Sequence, residues 1–172
     1  MENLGYIEIE QGRLDIRRIA TGRDMLKALT AQANGGGFIS TLIADVCYLN
    51  DAPLTSDTVE EFDAGISLAI QEVIFETKQL TPESVESYPK TYFLGDKIIE
   101  LTEPRKIKHD NKANRMANGN ASAIVFWLIS LLVKIDEKVL RYDDLLDLPA
   151  GEIQPLMSLV TPKKPQFVRV KT

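Results

Sequence analysis

Apolar residues recur at helical spacing in two stretches of the chain, and the two stretches match. One set is Phe38, Ile39, Leu42, Ile43, Val46 and Leu49; the other is Ile124, Val125, Leu128, Ile129, Leu132 and Ile135. Each follows the three- and four-residue steps of one helix face. At a shift of 86 positions the halves align without a gap from Asp24/Asp110 to Ile74/Val160. Identities include Asn34/Asn120, Leu54/Leu140, Asp57/Asp143, Ala64/Ala150 and Gly65/Gly151. A period of this length reads as a duplicated structural unit.

Each copy predicts the same order of elements. It opens with a hairpin, Tyr6 to Ile19 and Tyr92 to Thr102, turning at Gln11-Gly12 and Gly95-Asp96. A polar helix follows, over about 22–33 and 105–117, and ends at Asn34-Gly35-Gly36-Gly37 or Asn118-Gly119-Asn120. The apolar helix comes next, then a loop at Asp51-Ala52-Pro53 or Asp136-Glu137-Lys138. Thr55 or Ser56 caps a short third helix. Asp63 and Pro149 open the last helix, in which Pro155 predicts a late start, a kink or a short run. The expected fold is mainly α with short β-hairpins (α+β), in two tandem repeats of a hairpin and three to four helices. The boundaries are 1–80 for the first repeat, 81–90 for a linker, 91–161 for the second repeat and 162–172 for an extended basic tail.

Composition narrows the function. The chain has 172 residues, 44% hydrophobic and 26% charged, enough for a packed core. Its net charge of -5 argues against nucleic acid or an anionic membrane as the main partner. No basic start leads into an apolar run, and the most apolar stretch, Ala121 to Ile135, is too short to span a bilayer. With Cys47 as the single cysteine, no intramolecular disulfide forms, and a cytoplasmic location is expected (host cytoplasm if phage-encoded).

Candidate chemistry is sparse. His109, the one histidine, lies in a polar basic run and reads as exposed on the polar helix. Cys47 lacks a neighbouring base in sequence and reads as a plain buried or half-buried cysteine. Gly35-Gly36-Gly37 lacks the lysine and hydroxyl of a phosphate loop and reads as a turn between helices. The carboxylates Asp57, Glu60, Glu61 and Asp63, and Asp143, Asp144 and Asp147, read as helix-cap residues, without calcium-loop spacing. Arg105, Lys106, Lys108, Lys112 and Arg115 read as a solvated face. No catalytic residue, cofactor or metal site is expected.

The contrast between the apolar helices points to binding. Outer positions Ser40, Thr41 and Asp45 in the first copy become Phe126, Trp127 and Leu131 in the second. A helix apolar almost all round needs cover, from the other copy, a second subunit or a foreign partner. The partner-binding residues expected on this basis are Phe126, Trp127, Ser130 and Leu131.

The second copy also carries a recognisable order. Ile98-Ile99-Glu100-Leu101-Thr102 is followed by Pro104, Arg105 and Asp110, a break at Asn118-Gly119, the apolar helix, and Leu145-Leu146-Asp147-Leu148. The first copy echoes it in Leu14-Asp15-Ile16-Arg17-Arg18, Asp24 and Glu61-Phe62-Asp63. This order resembles the tail assembly chaperones of Mu-like and related tailed phages, which usually have one copy of the unit. The resemblance implies a small helical protein that coats the hydrophobic tape measure protein during tail assembly. A permanent subunit of a tail baseplate or hub is the alternative, with the tail Lys163 to Lys171 adding a strand to a neighbour. Either role implies a protein partner, from the tape measure to another tail or baseplate protein, and admits a homo-oligomer.

Overall fold

The two apolar stretches form helices, and each helix ends earlier than its pattern predicts. The computed structural model describes residues 3–171. The chain begins with strands β1 (Gly5–Ile9) and β2 (Gly12–Ile16) and helices α1 (Gly22–Ala33) and α2 (Phe38–Val46). Strands β3 (Cys47–Leu49) and β4 (Ala52–Pro53) and helices α3 (Ser56–Glu60) and α4 (Ala64–Ile74) follow. Next come β5 (Leu80–Ser84), β6 (Lys90–Leu94), β7 (Lys97–Leu101), α5 (Ile107–Ala117) and a 3-10 turn at Ala121–Ala123. The chain continues through α6 (Ile124–Leu132), β8 (Val133–Ile135), β9 (Lys138–Val139), α7 (Tyr142–Asp147) and α8 (Ala150–Val160). The fold is α+β: helices pack with two antiparallel sheets, ordered β1-β2-β3-β4 and β5-β6-β7-β8-β9.

The apolar helices give way to strands because the opening hairpins offer edges. Cys47 pairs with Ile16 in the first sheet and Val133 with Leu101 in the second. Aromatic and β-branched residues, Tyr48, Val133 and Ile135, suit the extended backbone. The segments expected as loops then turn back as hairpins. Asn50 and Asp51 have φ of 50° and 64°, and Asp136 and Glu137 have 50° and 66°. Positive φ at both central residues matches the right-handed twist of a two-residue hairpin.

Two further expectations are corrected. The 81–90 linker is not wholly connecting chain, since β5 pairs with β6 and forms the outer edge of the second sheet. Pro82 is tolerated there because an edge strand needs only one side of its hydrogen-bonding groups. Nor is α8 shortened, running through Pro155 to Val160. The proline lacks the N–H that would reach the Gly151 carbonyl. The Lys78 N–H approaches that carbonyl instead, at 3.4 Å.

That contact belongs to a seam joining residues 20–22 and 76–78 to α7 and α8. Gly22 N–H donates to the Leu148 carbonyl and Ala150 N–H to the Ala20 carbonyl, both at 2.8 Å. A β-carbon at Gly22 would collide with the Leu145 carbonyl, and one at Gly151 with that of Glu76. Backbones come this close only where side chains are absent. Beside the seam, Glu152 is 2% exposed and accepts from Lys78 Nζ and Lys97 Nζ, each at 2.9 Å. Burial pushes its pKa up, but the lysine hydrogen bonds outweigh this and hold it below the ordinary carboxylate value. A single cluster of buried apolar residues runs through both halves, from Leu14 and Leu42 to Phe126 and Ile153. Among the described residues, no helix is long and apolar enough to cross a membrane.

Candidate functional site

The expected partner-binding face on α6 is largely occupied by the protein itself. Phe126 is fully buried in the core, so it presents nothing to a partner. Trp127 is half-buried and stacks on Tyr142, with ring centroids 4.3 Å apart and planes 9° apart. Ser130 Oγ donates to the Leu140 carbonyl at 2.5 Å. Leu131 is half-buried and lines a shallow cleft with His109, Lys112 and Arg115. The over-apolar helix is therefore covered mainly from within, by α5, α7 and α8.

The same comparison of helices locates a different site. Ser40 and Phe126 are each the third residue of a nine-residue helix, and both are buried. The expectation that Ser40 faces outward is thus corrected. Where α6 fills this position with a ring, α2 places a hydroxyl, and a cleft of about 370 Å³ lies beside it. Phe38, Ile39, Ile43, Val59 and Phe62 supply its apolar lining. Ser40 Oγ donates to Glu60 Oε1 at 2.7 Å, placing one carboxylate there. A second cleft of about 580 Å³ shares Phe38 and Ile39 and continues over Leu68, Gln71 and Phe75. Leu68 is 64% exposed.

The arrangement is suited to holding an apolar segment. Two adjoining clefts meet at two large side chains, in the shape of an apolar groove with polar rims. Phe38 and Ile39 were legible as apolar helix positions, but not as groove walls. A small polar residue at position 40 facing a phenylalanine in the second half was the available signal.

The histidine and the cysteine lie elsewhere. His109, contrary to expectation, is buried: its Nδ1 accepts from the Lys106 N–H at 2.9 Å, and its Nε2 is 2.6 Å from Glu103 Oε1. The hydrogen bond with His109 holds the Glu103 carboxyl below its ordinary value. Cys47 lies in β3 with no exposed surface, and burial pushes its thiol up to about 12. Since the thiolate is the reactive form, Cys47 is expected to resist alkylation in the native protein and react on denaturation. A thiol-reagent titration with and without urea checks this; fast native reaction would contradict it.

The remaining polar groups serve local structure. Burial raises the Asp24 carboxyl, but Arg18 and the Thr21 N–H outweigh this and hold it below its usual value. Arg105 links Asp110 to the Val160 carbonyl. Lys108, Lys112 and Arg115 are exposed, as are Asp57, Glu60, Glu61 and Asp63. Among the described residues, no three histidine, cysteine or carboxylate side chains group to hold a metal ion. Gly37 caps α2 in the turn after α1.

No family model matches the chain, and neither the curated proteins nor the solved structures contain a match.

Proposed function

We propose that the chain is a tandem repeat acting as a protein-binding assembly chaperone or adaptor for a phage tail or related contractile device. It shields an apolar segment of a partner such as the tape measure protein, and it is not an enzyme. The observation that carries the reading is the pair of adjoining apolar clefts meeting at Phe38 and Ile39. The repeat reading is supported by the common order of elements and by matched hairpin turns at 50–51 and 136–137. The residue order around Arg105 and Asp110, and more faintly around Arg18 and Asp24, supports the assignment to tail assembly.

Leu68→Glu is the decisive variant, because an exposed side chain can be changed with little effect on stability. Co-expressed with a tape measure protein of a tailed phage, the native chain is expected to keep that protein soluble and to co-purify with it. Leu68→Glu is expected to lose most of the co-purification while keeping the native unfolding midpoint. Unchanged co-purification in the variant would remove the groove from the proposal.

The alternative is a permanent structural subunit of a tail baseplate or hub. It is favoured by the outer edge of β1, unpaired among the described residues, and by the apolar residues of the C-terminal tail. Detection of the chain in purified particles would select it over the chaperone.

A further inference from the structure

The two sheets differ by one strand, and the difference has a structural origin. The second sheet has five strands because β5, which follows α4, pairs with β6. The first sheet has four, and β1, the counterpart of β6, has no neighbour on its outer side among the described residues. An open edge of this kind is a template for another strand.

The chain contains a segment in the matching place. Five residues, 75–79, separate α4 from β5, and five residues, 161–165, separate α8 from Gln166. From there Gln166-Phe167-Val168-Arg169-Val170 alternates in the manner of a strand, with Val168 and Val170 on one side. The segment is in no element, and Phe167, Val168 and Val170 are 82%, 74% and 87% exposed. Its charge fits the open edge: Arg169 and Lys171 are cationic, whereas β1 and the following turn expose Glu8 and Glu10.

We propose that residues 166–170 of one copy of this chain form a fifth strand on β1 of a second copy. The inference rests on the repeat reading and not on the groove. The internal β5–β6 pair sets the register. The opening hairpins match at a shift of 85, because Ile9 and Leu94 each precede a two-residue turn, while the tail matches β5 at 86. Thr81 opposite Phe93 and Pro82 opposite Tyr92 therefore translate to Phe167 opposite Glu8 and Val168 opposite Ile7. Val168 then stands beside Ile7, on the side of β1 that packs against the core. Each copy offers one tail and one edge, so the contact is head-to-tail and extends into an open series or closes into a ring. The seam at Gly151 is not fully reproduced, because Ala69 stands where Pro155 frees a carbonyl. The strand therefore carries the contact.

The register supplies the test. Pro82 occupies a β5 position whose N–H the pairing does not use, so Val168→Pro is expected to be tolerated. Phe167→Pro removes a donor that the pairing requires. By sedimentation equilibrium on full-length protein, native chain and Val168→Pro are expected to self-associate with rising concentration. Phe167→Pro is expected to weaken association roughly tenfold or more, the loss of about one hydrogen-bonded strand position. Oxidising a mixture of Glu8→Cys and Phe167→Cys chains is expected to give a covalent heterodimer. Native chain that stays monomeric, with no heterodimer, overturns tail docking and leaves the repeat intact. Association damaged equally by both prolines overturns the register taken from the repeat. Leu68→Glu is expected to associate normally, which separates this contact from the groove.

Discussion

Replacing Lys78 and Lys97 together by methionine is expected to lower the thermal midpoint by roughly 10 °C, among the largest effects of any surface-reaching change. The reason is the Glu152 carboxylate, 2% exposed and held by these two lysines at 2.9 Å. Stripping a buried charge of its partners typically costs roughly 3–5 kcal/mol. The lysines also tie three pieces together: the segment after α4, the β6–β7 hairpin and the first turn of α8. The pH dependence separates lost charge pairing from lost packing. In the native chain the Glu152 carboxyl is held below its unfolded value. Its contribution is present above the unfolded value and fades as pH falls through the folded one. Without the lysines only burial acts, and burial raises a carboxyl. The contribution is then present below the unfolded value and lost as pH rises. The stability gap between native and doubly substituted protein should therefore be narrower at pH 4 than at pH 7. Urea unfolding at both values reads it, and an equal gap would show that the lysines act through packing alone.

Phe126→Ala is the second large effect, expected to cost about 3–5 kcal/mol by urea denaturation, as for a fully buried ring. Trp127→Ala, removing a half-buried ring stacked on Tyr142, should cost clearly less. The order of these two effects distinguishes a core residue from a partner contact. If Phe126→Ala left stability unchanged and reduced only partner binding, the placement of the ring in the core would be wrong.

The contrast at this position explains how far the sequence could be read. Periodicity located α2 and α6, and turn residues placed the hairpin at Gly95-Asp96 and the end of α1 near Asn34. Thr55 was legible as a cap and does accept from the Thr58 N–H, at 3.3 Å. These features are local: each depends on residues within one or two turns of chain. The apolar character of α6 was equally plain, but what covers it was not, because cover comes from residues distant in sequence. Ser40 looked polar and outward, yet Glu60 across the α2–α3 contact gives its hydroxyl a partner and lets it be buried.

The sequence by itself determined the α+β class and the order of opening hairpin and helices in each half. Only the tertiary structure decided that the apolar helices end in strands, because that depends on free edges at β2 and β7. It alone decided that β5 crosses into the second sheet, leaving β1 open, since strand pairing joins residues no local pattern connects. It also moved the candidate site from α6 to the groove beside α2. Whether a large side chain makes a surface or fills a core is set by the space around it, and that space is assembled only when the helices pack.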